Sequence, residues 1–287
     1  MKLERQTKLL IVGLGQIGGS YAQALSQRGF TVGAIDVDAA SIAFAQQKGW
    51  ISDGCDHADP AYIARFDLLI FALYPHALLN WLRENQAAIR PGALLTDVTG
   101  VKESVVETVQ ELLRPDLEFI GAHPMAGRET SGVRNANAAV FQGANYIITP
   151  TERNSAAAIE TCRELGRELG FRDISLLSPA EYDRMIGFLS QLTHCIAVAL
   201  MLCSDSPELV RYTGDSFRDL TRIAKINDAM WSELFLLNKK NLLAEMALFA
   251  ENFERLRRSI EQDDTAAMRA CMRLASERRT WFDQKKD

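Results

Sequence analysis

The chain has 287 residues, of which 47% are hydrophobic and 24% are charged. This composition is typical of one large or two ordinary globular domains, and it excludes collagen-like, low-complexity and disordered chains. A net charge of −5 offers no basic surface for nucleic acid. Five cysteines without a CxxC pair predict neither a disulfide framework nor a metal site. No signal peptide or long apolar run is recognised, so we expect a cytoplasmic protein that does not enter a membrane.

Short β-branched runs alternate with amphipathic helical stretches in the first part of the chain. This alternation predicts an α/β fold of the Rossmann type, a doubly wound parallel sheet with helices on both faces. The expected strands are residues 9–12, 31–35, 68–71, 93–96, 118–120, 145–148 and 173–177. The expected helices are residues 17–27, 39–47, 77–86, 102–113 and 155–169.

After residue 177 the strand-like runs end, and apolar residues recur at three- and four-residue spacing. Ser178 before Pro179 predicts a helix start, and we place the boundary of two domains there, residues 1–177 and 178–287. The first helix, expected to reach Cys203, is apolar nearly all round toward its end, which predicts burial on every side. Further helices are expected at residues 208–211, 217–224, 231–259 and 265–282. An all-helical domain with so wide an apolar surface predicts a homodimer.

The segment GLGQIGGS carries Gly13, Gly15 and Gly18 in a GxGxxG pattern between a strand and a helix. Such glycines allow a tight turn, close approach of a pyrophosphate and close packing of helix on strand. Asp36 ends the next strand at the position of a ribose-binding acid, and its charge favours NAD over NADP. We therefore predict an NAD site here, with Gln16 and Ile17 in the same loop. Pro75, after the strand at residues 68–71, is expected to form a wall of this site.

His123 lies in the sequence GAHPMAG, directly after the strand expected at residues 118–120. Carboxyl ends of strands are where open α/β sheets bind ligands, and small neighbours leave room for a ligand to approach an acid/base imidazole. A core histidine satisfied by backbone groups explains the position equally well. The residues alone leave both interpretations open.

GAHPMAG, the preceding TDVTGVK and the later DLTRIA with a tryptophan after it resemble the prephenate/arogenate dehydrogenase family of tyrosine biosynthesis. The resemblance spans nearly the whole chain and implies a bare dehydrogenase without a fused chorismate mutase or ACT domain. It implies an NAD-dependent oxidative decarboxylation of prephenate to 4-hydroxyphenylpyruvate, with arogenate as the alternative substrate. The helical second domain forms a dimer in this family.

The resemblance also assigns roles to single residues. It implies that His123 is the catalytic partner of the substrate hydroxyl and that Arg222 grips a carboxylate. Asp219, three residues before Arg222, is expected to hold the guanidinium in place. Ser190, Gln191, His194 and Trp231 are expected to line the substrate cleft. Without the resemblance, a surface ion pair for Arg222 and ordinary packing for His194 and Trp231 are the simpler interpretations.

Three positions depart from the family pattern. Many members have histidine where this chain has Tyr182 and Gln191, and serine where it has Gly100. We expect Thr99 to replace the missing hydroxyl at the catalytic histidine and the cofactor. Lys102 is interpreted either as a helix start or as a partner of a carboxylate, and Arg128 either as a ligand contact or as a loop cap.

Two other functions compete with this one. A β-hydroxyacid dehydrogenase shares the domain order but uses a lysine on the interdomain helix, and residues 179–203 contain no lysine. A non-catalytic NAD-binding regulator would keep the fold and lose the chemistry. Whether prephenate or arogenate is preferred stays open at this level.

Overall fold

The computed structural model describes residues 2–127 and 130–283. Its sheet contains eight strands, which are β1 Lys8–Val12, β2 Thr31–Ile35, β3 Asp53–Cys55, β4 Leu68–Phe71, β5 Leu94–Asp97, β6 Glu118–Met125, β7 Asn145–Thr149 and β8 Asp173–Leu176. The order across the sheet is β3-β2-β1-β4-β5-β6-β7-β8, and β7 is antiparallel to β6. The other neighbours are parallel. This confirms the predicted doubly wound sheet.

The helices that accompany the sheet are α1 Gln16–Gln27, α2 Ala39–Gln47, α3 Pro60–Ile63, α4 Pro75–Asn85, α5 Glu103–Leu112 and α6 Ala156–Leu169. Two core clusters of buried apolar side chains contain strand residues from alternate positions, as a sheet covered on both faces requires. The sheet grows from β1 to β3 in one direction, and the chain then crosses back so that β4 lies on the other side of β1. Such a switch point is where ligands of open α/β sheets bind.

The second half of the chain is helical, as predicted. Its helices are α7 Pro179–Ile186, α8 Thr193–Met201, α9 Asp215–Thr221, α10 Asp228–Leu237, α11 Lys239–Glu261 and α12 Thr265–Thr280, and a π-helical segment, Gly187–Leu192, joins α7 to α8. Ser178 caps α7 in a reciprocal arrangement with Glu181. Residues 1–238 form one compact unit and residues 239–287 another. The predicted boundary at Ser178 thus lies within the first unit.

Several predicted elements differ from the structure. Residues 53–55 form the edge strand β3, which is not among the predicted strands. The helix expected at residues 231–259 is two helices, because the side chain of Asn238 between them is buried and donates to the backbone oxygen of Asp183 and to Oε1 of Gln191. β6 extends to Met125, beyond the predicted end at Ile120.

The helix that contains α8 is not buried on every side within one chain. Ala197 is buried, whereas Leu202 is 81% exposed and Met201 is 44% exposed. The apolar surface predicted from the sequence is real, but this chain alone does not cover it. By length and composition the segment Pro179–Met201 also meets the criteria for a membrane span, which the sequence analysis did not anticipate. One such helix is weak evidence for a membrane protein.

Candidate functional site

The glycine-rich loop between β1 and α1 has the geometry of a dinucleotide cradle. Gly13 has φ +97°, a conformation that strains any residue with a side chain. A Cβ on Gly18 would lie 1.9 Å from the carbonyl oxygen of Gly13, so only glycine allows the close packing of helix on loop. A Cβ on Gly15 would meet nothing within 4 Å, which leaves open space at the N-terminus of α1 for a pyrophosphate. The residues therefore fit the predicted cofactor.

Asp36 stands beside this loop at the end of β2. Its Oδ2 accepts a hydrogen bond from the backbone N–H of Leu14 at 2.5 Å, and its Oδ1 accepts one from the backbone N–H of Asp38 at 2.8 Å. Each carboxylate oxygen has a second lone pair, so both can still accept a ribose hydroxyl. The two backbone bonds fix the carboxylate next to the glycine turn, as a ribose-binding acid requires.

The other predicted cofactor residues lie near the same edge of the sheet, where β1 and β2 end. Gln16 is buried in the first turn of α1, and its Nε2 donates to Oγ1 of Thr130 at 3.1 Å. Ile17 is half-buried against the sheet core. Pro75 is buried in the first turn of α4, where a proline sacrifices no helical hydrogen bond. Arg128 lies outside the described residues.

His123 lies within β6, where the strand has left β5 and pairs with β7 opposite Ile147. Pro124 has no N–H and is tolerated because the strand is paired on one side there. Burial, assisted by the nearby charge of Lys102, lowers the pKa of His123 to about 3. The imidazole is therefore neutral at physiological pH, which suits a hydrogen-bonding or basic role toward a ligand.

The phenolic oxygen of Tyr182 lies 2.7 Å from Nδ1 of His123. Tyr182 is fully buried in α7, and its ring meets the imidazole edge on. Burial raises the pKa of this phenol well above 10, so it stays protonated. The hydroxyl beside the histidine thus comes from Tyr182 and not from Thr99, the expected replacement.

The hydroxyl of Thr99 instead belongs to a buried charged cluster with Asp97 and Lys102. Nζ of Lys102 lies 2.5 Å from Oδ2 of Asp97 and donates to Oγ1 of Thr99 at 3.1 Å, while Thr99 donates to the same carboxylate. Oδ1 of Asp97 accepts the backbone N–H of Ala122, the residue before His123. Lys102 directly precedes α5, as the first interpretation predicts, and its ammonium pairs with a buried carboxylate of the protein itself.

Asp183 follows Tyr182 in α7 and connects this helix to α5. Its carboxylate accepts the backbone N–H groups of Lys102 and Glu103 at 2.7 and 2.9 Å, and so caps α5 from α7. Burial raises the pKa of Asp183 to about 6, although these bonds oppose the shift. Because Tyr182 is its neighbour in the chain, the position of the phenol depends on this cap.

His194 and Trp231 stack on each other, with ring centroids 3.7 Å apart and planes tilted by 30°. Nδ1 of His194 lies 2.8 Å from the backbone oxygen of Ser190. A carbonyl oxygen only accepts, so Nδ1 carries a proton and donates it. Ser190 lies in the π-helical segment, a feature frequent at functional sites. The structure thus brings three predicted cleft residues together.

Gln191 occupies a buried polar position. Its Nε2 donates to the backbone oxygen of Leu234 at 3.2 Å, and its Oε1 accepts from Nδ2 of Asn238 at 2.8 Å. Asn238 also donates to the backbone oxygen of Asp183. Through Asn238, Gln191 is therefore connected to α7, the helix that carries Tyr182. These contacts give Gln191 a role within the protein, and its role toward substrate stays a prediction.

Arg222 and Asp219 lie on the exposed surface of the first unit. α9 ends at Thr221, and Arg222 is the cap residue that begins a short 3-10 turn, so the two residues are not held within one uninterrupted helix. The planar guanidinium of an arginine matches a carboxylate in bidentate geometry.

Three residues at this site carried no assigned function in the sequence analysis: Tyr182, Asp97 and Asp183. Tyr182 was visible as a departure from the family pattern, but its contact with His123 depends on how α7 packs on β6. Asp97 ends a buried strand at the ligand-binding edge, a signal that the sequence did contain. Asp183 follows Tyr182 directly, yet its cap on α5 joins segments 80 residues apart.

Comparison with known proteins identifies the family of this chain. The model of the prephenate dehydrogenase nucleotide-binding domain matches residues 21–174, and that of the prephenate dehydrogenase dimerization domain matches residues 178–274. The chain is similar to the prephenate dehydrogenase of Bacillus subtilis, with 29% identity over 263 residues, 89% of this chain and 71% of that protein. It is equally similar to the cyclohexadienyl dehydrogenase of Zymomonas mobilis, with 29% identity over 89% of each chain.

Among solved structures, the chain resembles prephenate dehydrogenase from A. aeolicus in complex with hydroxyphenyl propionate and NAD+. The TM-score is 0.88 and the identity 27%, with 98% of this chain and 100% of that chain covered. The fold is also that of Synechocystis arogenate dehydrogenase, with TM-score 0.82, 23% identity and coverage of 96% and 100%. The chain belongs to the prephenate dehydrogenase family of oxidoreductases.

Proposed function

We propose that this protein catalyses the NAD-dependent oxidative decarboxylation of prephenate to 4-hydroxyphenylpyruvate and CO2. The observation that carries the proposal is His123, a neutral, half-buried imidazole whose Nδ1 is engaged by Tyr182. This leaves Nε2 for a ligand. Family membership and the cradle at Gly13, Gly15 and Gly18 support the same conclusion.

The cofactor site follows from the loop geometry. The N-terminus of α1 would hold the pyrophosphate at Gly15, and Asp36 would accept the ribose hydroxyls. Bound NAD+ supplies the acceptor for the hydride that leaves C4 of the substrate. The negative charge of Asp36 would repel a 2′-phosphate, which supports NAD over NADP.

The chain's own contribution to chemistry is orientation and a hydrogen-bond partner for the substrate hydroxyl. As hydride leaves C4 and the ring carboxylate leaves as CO2, the ring becomes aromatic and the C4 hydroxyl becomes a phenol. Nε2 of neutral His123 accepts a hydrogen bond from that hydroxyl and so stabilises the charge that develops on it. Aromatisation provides the driving force, and the phenol of the product retains its proton.

A substrate with two carboxylates needs hydrogen-bond donors or cations on the protein to bind them. Arg222 presents an exposed guanidinium suited to bidentate contact with one carboxylate. We assign the other carboxylate to His194, whose ring stacks on Trp231 and whose Nδ1 is held by the backbone oxygen of Ser190. Arogenate shares the ring and the C4 hydroxyl with prephenate and differs in its side chain, so it is the alternative substrate.

Assembly and location form part of the proposal. Large apolar side chains are exposed in the segment that the dimerization domain model matches, among them Leu202, Val210, Tyr212, Leu236, Phe253 and Met272. Exposed apolar surface of this extent requires a cover in water. We propose a homodimer formed through the helical segment, located in the cytoplasm.

The test is a steady-state assay of the purified protein with prephenate and with arogenate, each with NAD+ and NADP+, monitored by the absorbance of reduced cofactor. We expect turnover with NAD+ and loss of about 10²- to 10⁴-fold in kcat in His123→Asn, with unchanged NAD+ binding. Inactivity of the wild-type protein on both substrates would overturn the proposed function.

A further inference from the structure

We propose that Tyr182 is a positioning residue that sets the tautomer of His123. The inference rests on the proposed function, because the imidazole must accept a hydrogen bond from the substrate hydroxyl. It goes beyond that function by assigning the task to a residue at which this chain departs from the family pattern. The two atoms that carry the proposal are Oη of Tyr182 and Nδ1 of His123, 2.7 Å apart.

A neutral imidazole has one nitrogen that donates and one that accepts. The partner of one nitrogen therefore decides what the other presents to a ligand. For Nε2 to accept from the C4 hydroxyl, Nδ1 must carry the proton and donate it to an acceptor. The phenolic oxygen of Tyr182 provides this acceptor through a lone pair, with its own hydrogen directed away from the imidazole.

The surroundings hold this phenol in place. Tyr182 is fully buried and packs with Ile147 and Ile186, and Ile147 is the residue opposite His123 in β7. The next residue, Asp183, is anchored by two backbone N–H groups of α5. Neither ring can therefore turn far without breaking packing or the cap.

Other candidates for this role are engaged elsewhere. The hydroxyl of Thr99 belongs to the cluster with Asp97 and Lys102. Gly100 has no side chain, and a Cβ there would contact Leu234 at 3.4 Å. Among the described residues, Tyr182 is the one that forms a hydrogen bond with the imidazole of His123.

The test is the variant Tyr182→Phe, which removes one oxygen and keeps the ring. We expect kcat to fall by about ten- to a hundredfold, because the buried Nδ1–H loses its acceptor and the ring no longer favours Nε2 as acceptor. The KM for prephenate and the Kd for NAD+ should stay within about twofold. Tyr146→Phe is the matched control, since Tyr146 is an equally buried tyrosine in a different core cluster.

Nitrogen-15 NMR of histidine-labelled protein reports the tautomer of His123. A purely structural role of Tyr182 would leave this tautomer unchanged. The chain has four histidines, so His123 is assigned by its disappearance in His123→Asn. With NAD+ and a hydroxyphenyl product analogue bound, the wild type should show the Nδ1–H tautomer, and Tyr182→Phe should show a mixture or the Nε2–H form.

The outcomes separate the two proposals. Wild-type inactivity on both substrates overturns the proposed function. An active wild type with unchanged kcat in Tyr182→Phe, or an Nε2–H tautomer in the wild-type complex, overturns the role of Tyr182 and leaves the function standing. A fall in the melting temperature of Tyr182→Phe without a change in kcat likewise identifies Tyr182 as structural only.

Discussion

Asp97 and Lys102 form an ion pair in which both side chains are fully buried, with Nζ 2.5 Å from Oδ2. The second carboxylate oxygen holds the backbone beside His123. Burial lowers the pKa of Lys102, and the charge of Asp97 opposes the shift. The pair therefore links the end of β5 to the segment of β6 that carries His123.

Removing one partner of this pair should destabilise the protein strongly. In Lys102→Met the carboxylate of Asp97 remains buried without its cation, which typically costs about 3–5 kcal/mol. Urea unfolding monitored by circular dichroism measures the difference. Arg167→Ala breaks the exposed pair with Glu160 and should cost less than about 1 kcal/mol. Equal losses in the two variants would contradict the assigned importance of the buried pair.

His123 should make the stability of the protein depend on pH. Its folded pKa of about 3 lies below the ordinary value of 6.5, so the unfolded chain binds the proton more readily. The stabilisation associated with the neutral ring is complete above pH 6.5 and is lost as the pH falls toward 3. Relative to His123→Asn, the wild type should lose up to about 1.4 kcal/mol per pH unit in this window. A constant difference between the two proteins from pH 7 to pH 4 in urea titrations would contradict the lowered pKa.

The sheet was predictable from the sequence because its strands are short, apolar and bounded by turn residues. Thr31–Ile35 and Leu68–Phe71 agree with the predicted ranges at both ends. β6 was predicted too short, since its second half pairs with β7 alone and contains Gly121 and Pro124, residues that local propensity places in loops. Pairing between distant segments decided this strand.

The part of the site around His123 depends on packing between distant segments, which local sequence patterns do not encode. His123 was identified from its sequence context, but its partner Tyr182 comes from a helix 59 residues away. The break at Asn238 is a similar case, because apolar spacing continues through it while its amide bonds to Asp183 and Gln191. In both places a buried polar group determines the local geometry.

Asp36 should determine the preference between the two nicotinamide cofactors. In Asp36→Ser the charge that would face a 2′-phosphate is removed, while a hydroxyl remains to accept from the backbone N–H of Leu14. We expect the ratio of kcat/KM for NADP+ to that for NAD+ to rise at least about tenfold. Asp38→Ser is the matched control, because Asp38 lies two residues on and caps α2. A ratio that changes equally in both variants, or in neither, would show that Asp36 does not face the ribose.

Arg222 should contribute to substrate binding more than to turnover. In Arg222→Ala a charge-assisted contact to a carboxylate is lost from the ground state and the transition state alike, so the KM for prephenate should rise by about ten- to a hundredfold while kcat changes little. Arg218→Ala is the control from α9, the helix that ends just before Arg222, since Arg218 is exposed and pairs with Asp215. Arg222→Lys keeps the charge but not the bidentate geometry and should give an intermediate KM. Because a surface ion pair is the rival interpretation of Arg222, an unchanged KM in Arg222→Ala, with any loss confined to thermal stability, would assign it to the surface and transfer carboxylate binding to another cation.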